Sequence, residues 1–172
     1  FRLHLGGSNE YFKFKPDLIC FCKAIANGYP ISALVGKEEL KVTASKVFHT
    51  GSYWYSAAFM SAAIANLQEL KKLNAPEYLE KLGRKFNEGL IKIAKDYGFN
   101  LKITGHPAMA YYRITDDPSL QLHQRWCAEC TRRGAFFTSH HNWFLSMAHT
   151  DADIQKTWEI CEEAFKVIKS SI

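Results

Sequence analysis

Pro16-Asp17-Leu18-Ile19-Cys20-Phe21-Cys22-Lys23-Ala24-Ile25-Ala26-Asn27-Gly28-Tyr29-Pro30 passes from a proline through five consecutive apolar residues into a turn. A run that short, bounded by Pro16 and by Gly28-Tyr29-Pro30, predicts a strand over residues 17–22 buried on both faces. Lys23 stands where that strand ends. Apolar neighbours there would disfavour the ammonium. A neutral amine at the carboxyl end of a sheet strand is what Schiff-base chemistry requires, and ligands of open α/β sheets collect at that edge. Composition alone reads the same residue as a solvated lysine at a strand end. Lys13 and Lys15 precede Pro16 and so lie at the strand's entry, and Lys37 follows Gly36 in a polar run.

Outward from this stretch, Ile31 to Gly36 is a second short apolar run, and Lys37-Glu38-Glu39-Leu40 predicts a helical turn. Val47 and Phe48 lead into a loop at His49-Thr50-Gly51-Ser52. Phe59, Ala63, Leu67 and Leu70 recur at helical spacing from about Ser56 to Leu73, and Asn74-Ala75-Pro76 interrupts the pattern. Leu79, Leu82, Phe86, Leu90, Ile93 and Ala94 give a second amphipathic helix over 77–97, stopped at Gly98. Strands are expected at 101–104 and 109–115, joined through Gly105-His106-Pro107. A helix is expected from Asp116-Asp117-Pro118 to Arg133. Short strands at 136–138 and 144–147 would flank a polar tip, Ser139-His140-His141-Asn142. Thr150 caps a last helix, with Asp153 at its third position. Residues 1 to about 75 therefore look like part of a doubly wound α/β sheet, and residues 76–172 like a small α+β domain.

The chain has 172 residues, with 22 Lys and Arg against 17 Asp and Glu, a formal charge of +5. The basic residues are scattered and do not interleave with aromatics, which argues against nucleic acid. No apolar run is long enough for a membrane helix. Five cysteines, an odd number, read as reduced thiols in a cytoplasmic protein. The opening at Phe1-Arg2, without Met or an entry element, suggests the C-terminal portion of a longer protein.

Lys15-Pro16-Asp17-Leu18, Lys23 and the run to Gly36 resemble class III pyridoxal-phosphate (PLP) aminotransferases, in which a Pro-Asp-Leu strand leads to the cofactor lysine. His49-Thr50-Gly51-Ser52, followed by a helix of small residues, resembles the family's Gly-Thr phosphate segment. Phe1-Arg2 is similar to the end of its Asp-Glu-Val-x-x-Gly-Phe-Arg segment. Phe144-Leu145-Ser146-Met147-Ala148-His149-Thr150-Asp151-Ala152-Asp153-Ile154 resembles the C-terminal signature of the glutamate-1-semialdehyde aminomutase branch. The resemblance implies an α/β fold: part of a PLP-dependent transferase (fold type I) large domain over 1–75, plus a small α+β C-terminal domain over 76–172.

It further implies a cytoplasmic homodimer with shared active sites, using pyridoxal 5'-phosphate to move an amino group from a small-molecule donor to a carbonyl acceptor. Lys23 would form the Schiff base. Gly51, through its amide, and Ser52, through its hydroxyl, would bind the phosphate of the neighbouring subunit. The carboxylate that pairs with the pyridine nitrogen, the glycine-rich phosphate loop and the ring-stacking aromatic would lie upstream of Phe1.

Two departures bear on the reaction. Tyr55-Ser56-Ala57 stands where the family commonly has Gly-Asn-Pro. His141 stands where aminomutases carry a glutamate, which favours ordinary transamination and marks His140, His141 and Asn142 as candidate substrate residues. A true 2,1-aminomutase, an amino-acid racemase, or a non-catalytic interaction fragment are the alternatives. No metal is expected. Adjacent His140 and His141 point apart, and His123, Cys127 and Cys130 lack a fourth ligand and read as a half-buried helix face. Trp126, Trp158 and Phe165 read as core, and Tyr53-Trp54-Tyr55 as a pocket, interface or packing triplet.

Overall fold

The computed structural model describes residues 1–52 and 55–170. The chain divides into two compact units, Phe1–Pro76 and Glu77–Ile172.

The first unit carries a short helix α1 (Ser8–Phe12), strands β1 (Leu18–Phe21) and β2 (Ala33–Gly36), a short helix α2 (Lys41–Ser45) and the long helix α3 (Ala57–Lys72). The strands pair antiparallel, from Leu18 opposite Gly36 to Phe21 opposite Ala33. Lys37 closes the open end of this ribbon: its Nζ lies 2.6 Å from Asp17 Oδ1 and its N–H donates to Asp17 O. Lys37 is thus ion-paired as well as solvated, and it holds the Asp17 carboxyl below its usual range. The small core is Ile25, Ala26 and Ala63, with Phe21, Ile31, Ala33 and Leu67 packed around it.

One expectation is corrected here: β1 is not buried on both faces. Leu18 is 53% exposed, and the adjacent Leu34 and Val35 of β2 are 59% and 44% exposed although they point to opposite faces. A two-stranded ribbon has no second layer for either face, so alternate burial along β1 is the most it achieves.

The second unit is built on α4 (Ala75–Asp96), β3 (Leu101–Thr104), β4 (Tyr111–Ile114), α5 (Gln121–Arg132) and α6 (Asp151–Lys169). Leu82, Phe86, Leu90 and Ala94 form the buried stripe of α4, as their spacing requires. They meet Tyr112 and Ile114 of β4, Trp126 of α5, and Ile154, Phe165 and Ile168 of α6 in one core. Trp126 stacks on Phe165 with centroids 4.7 Å apart, and Trp158 is half-buried beside them, its indole N–H donating to Phe86 O.

Gly98, at φ +84, ends α4, where Phe99 N–H returns to Ala94 O. α5 starts at Gln121, later than Asp116, because Leu120 takes a left-handed φ of +61. Asp117 is buried and its Oδ2 accepts from His123 N–H at 2.8 Å, so it serves the first turn of the helix from outside it. α6 carries the Thr150 cap read from sequence, and the structure makes it reciprocal: Thr150 Oγ1 accepts from Asp153 N–H, and Asp153 Oδ2 from Thr150 N–H.

The strands expected at 136–138 and 144–147 do not form. Trp143 N–H donates to Ala110 O and Leu145 N–H to Ala108 O, and these two bonds hold the segment beside the Pro107–Met109 turn without building a ladder.

Candidate functional site

Lys23 sits in a loop whose backbone is unusual for its residue types. Cys22 is extended, then Lys23 turns left-handed at φ +54 and opens a single 3-10 turn, Lys23–Ile25. Asn27 at φ +48 and Gly28 at φ +110 follow. A left-handed lysine costs about 1 kcal/mol and persists only where its surroundings enforce it.

The enforcement comes from α3. Ile25 and Ala26 are buried against Ala63. One helical turn further on, Asn66 Nδ2 donates to Ala24 O at 2.8 Å and to Ile25 O at 3.0 Å. The small residues of α3 allow the loop to come this close, and a ring contact of 6.0 Å between Tyr29 and Phe59 adds to the seat.

The Lys23 side chain is exposed, and it makes no hydrogen bond or ion pair among the described residues. The apolar surroundings expected from its neighbours in sequence are therefore absent. The chain turns outward at Cys22, and the open faces of the β1–β2 ribbon do not enclose the amine. Gly51 and Ser52 are exposed in the loop between α2 and α3, and no hydrogen bond joins them to Lys23. Tyr55 is exposed at φ +57; its sequence neighbours Tyr53 and Trp54 lie outside the described residues.

The polar tip belongs to the second unit. His140 and His141 are exposed and Asn142 is half-buried. The tip is closed at its base, where Trp143 Nε1 donates to Thr138 O at 2.8 Å and Phe137 stacks on Trp143 at 3.7 Å. Asn142 Nδ2 donates to Met109 O at 3.2 Å, and the His141 ring meets Asn142 O through Nδ1 at 2.9 Å. His141, Asn142, Tyr112, Trp143, His149 and Thr157 border a cleft of about 650 Å³.

The remaining titratable cluster is core. His123 is fully buried, with Nε2 3.7 Å from Cys127 Sγ. Burial pushes the His123 pKa down and the Cys127 thiol up to about 12. Cys130 is pushed further up, first by its hydrogen bond with Cys161 and then by burial. Thiols held protonated in this way are inert packing groups. Cys20 and Cys22, by contrast, are exposed. Among the described residues no group of three or more His, Cys, Asp or Glu is arranged to hold a metal, and no helix is long and apolar enough to cross a membrane.

Asn66 is the site residue that the sequence reading missed. Its signal was there: one amide in the otherwise apolar stripe Phe59, Ala63, Leu67, Leu70.

The family described as aminotransferase class-III matches residues 8–165. The aminopentol aminotransferase of Sphingopyxis macrogoltabida is 37% identical over 98% of this chain and 40% of its own length. A glutamate-1-semialdehyde 2,1-aminomutase of Brevibacillus brevis is 30% identical over 96% of this chain and 42% of its own. The FumI protein of Sphingopyxis sp. MTA144, solved as its PLP internal aldimine form, superposes with a TM-score of 0.90 at 37% identity, over 94% of this chain and 39% of that one. The chain thus spans about two-fifths of the length of the proteins it resembles, and its fold is the mixed α/β fold of PLP-dependent transaminases. With a family match running through both units, the chain belongs to the class-III aminotransferases.

Proposed function

We propose that this chain forms part of a PLP-dependent aminotransferase that passes an amino group from a small-molecule donor to a carbonyl acceptor, with Lys23 as the cofactor lysine. The observation that carries the reading is the presentation of Lys23. A primary amine stands unbonded at the end of β1, on a loop that α3 holds in a costly backbone conformation. Left-handed non-glycine residues cluster at functional sites; Lys13 shares that backbone conformation, and Lys23 is the lysine that holds it at the end of β1. The residues present also fit the cofactor. No existing bond of Lys23 has to break, and the exposed Gly51 amide and Ser52 hydroxyl are donors of the kind phosphate takes.

When bound, PLP supplies an aldehyde for the lysine amine and a conjugated ring that accepts the electron pair of the carbon losing its proton. The chain's own residues do the rest. Lys23 Nζ would hold the cofactor through its amine and would be the group that carries the proton during transamination. Gly51 N–H and Ser52 Oγ fix the phosphate of a neighbouring subunit, which makes the working form a homodimer, in the cytoplasm. Residues 1–75 belong to the cofactor-binding large domain and 76–172 to the small domain, with His140, His141 and Asn142 on the substrate side. The open faces of the β1–β2 ribbon lie against the part of the protein that this chain does not include.

Between transamination and isomerisation, His141 supports the former, because an imidazole replaces the carboxylate expected of an aminomutase. The 37% identity to an aminotransferase against 30% to an aminomutase supports it too.

The test uses the full-length protein loaded with PLP. Borohydride reduction should fix the cofactor on the peptide that contains Lys23, and Lys23→Arg should abolish turnover, because a guanidinium stays charged and is a very poor nucleophile. Turnover should require an external amino donor. Recovery of the reduced adduct on Lys13, Lys15 or Lys37 would refute the assignment.

A further inference from the structure

We propose that Asn66 is the positioning residue for the cofactor lysine. The proposal rests on the reading of Lys23 given above and extends it to a residue in the middle of a different element. Asn66 lies on α3, 43 positions beyond Lys23 in the sequence, and its amide is the bond donor that ties the lysine loop to that helix. Nδ2 carries two hydrogens, and the two carbonyls that take them, Ala24 O at 2.8 Å and Ile25 O at 3.0 Å, directly follow Lys23.

The geometry distinguishes this from an ordinary surface hydrogen bond. Ala24 and Ile25 occupy the 3-10 turn that Lys23 opens, so their carbonyl directions are set by the same dihedrals that give Lys23 its φ of +54. Left to itself, a lysine prefers the right-handed or extended regions, which would swing the amine away from its present direction. The apolar contact of Ile25 and Ala26 with Ala63 holds the loop down but does not fix its rotation. Two directed bonds from one planar amide do. No ionised or nucleophilic group of Asn66 takes part, so its effect passes only through the backbone at Lys23.

In the full-length protein, Asn66→Ala removes both donors and leaves a strong helix former in α3, so folding is favoured. Asn66→Gln keeps the amide and serves as the rescue variant. The readout is the rate at which the covalent Lys23–PLP adduct appears when saturating PLP is added to apoprotein, followed by its visible absorption and confirmed by borohydride trapping. Loss of two loop hydrogen bonds should slow this step by about tenfold in Asn66→Ala, with partial recovery in Asn66→Gln. The thermal midpoint of each apoprotein is measured alongside.

An Asn66→Ala protein that is folded and forms the adduct at the wild-type rate overturns the proposal, whatever its thermal midpoint, since a merely structural role would move only the latter. Trapping of the cofactor on another lysine in the wild-type protein fails the underlying assignment instead, and the two failures are read from separate samples. Should Asn66→Ala not fold, Asn66→Ser, which keeps a single shorter donor, is measured in its place against the same criterion.

Discussion

Gly83 lies inside α4, and a methyl group added there would have nowhere to go. Its Cβ would stand 2.3 Å from the carbonyl oxygen of Pro107, 2.4 Å from the carbonyl carbon and 3.0 Å from Ala108 N. These are backbone atoms, so no rotamer change relieves the contact; the separation must open by about 1 Å to reach van der Waals distance. The displaced segment is not idle. Ala108 and Ala110 are fully buried, and their carbonyls receive the N–H groups of Leu145 and Trp143. Asn142 Nδ2 donates to Met109 O between them. Pushing Pro107 away from α4 therefore pulls on the base of the tip that carries His140 and His141.

Two effects compete in Gly83→Ala. In an unobstructed helix interior the exchange gains about 1 kcal/mol. Overpacking costs about 1–3 kcal/mol, and one or two weakened tip hydrogen bonds add about 1 kcal/mol each. The clash should win by about 2 kcal/mol, which for a domain of this size lowers the thermal midpoint by about 10 °C. Circular dichroism gives the midpoint, and tryptophan fluorescence reports the tip through Trp143. Gly89→Ala is the comparison. Its Cβ would stand 2.4 Å from the Trp158 ring, a side chain that can shift at the cost of its bond to Phe86 O, so a smaller loss is expected. An unchanged or raised midpoint for Gly83→Ala would show that the Pro107 backbone does not rest on this glycine, and the account of how the tip is anchored would fall with it.

Two further outcomes follow from caps and buried charge. Thr150→Ala should destabilise the chain by about 1 kcal/mol by removing the acceptor at the start of α6, whereas Thr150→Ser should keep most of it; equal urea midpoints for the two variants would refute the capping account. Burial lowers the pKa of His123 in the folded state, so between its ordinary value of about 6.5 and that depressed value the unfolded chain binds the extra proton. The His123 contribution is then complete above the ordinary value and lost as pH falls through the window. His123→Gln should flatten the fall in thermal midpoint on acidification over that range, and an unaltered slope would show that His123 does not set it.

The helices were legible because their apolar residues recur at a period that only a helix satisfies. Leu79, Leu82, Phe86, Leu90 and Ala94 all proved buried on α4, and the Thr150–Asp153 spacing announced the cap of α6. The segments around the tip were misread for a physical reason. Phe144 to Met147 is mostly apolar, but a strand needs a partner with a free row of donors and acceptors; its neighbour here is the Pro107–Met109 turn, which offers only alternate carbonyls, and the segment itself turns at Ser146, whose O accepts from His149 N–H. Sequence period reports the face a segment shows, not the regularity of what lies opposite.

The candidate site divides along the same line. Lys23 was marked by its place after an apolar run and by the family pattern around it, both of which are local. Its exposure was not foreseen, because an apolar run reports that a strand is made to be covered without supplying the cover. Ile19 and Phe21 are half-buried while Leu18 is open, so the pattern is met on one side of the ribbon only. What the run could not show is how the lysine is aimed. That rests on φ at Lys23 and on two hydrogen bonds from a helix that begins more than thirty residues later. A single asparagine in an apolar stripe costs its helix little in propensity, and burying its amide unpaired would cost more than the bonds return. Asn66 is half-buried beside Ala63 and Leu67, and its amide takes two backbone acceptors that the sequence does not identify. They belong to the Lys23 loop, which ties the packing of α3 to the backbone at Lys23 by bonds as well as by apolar contact.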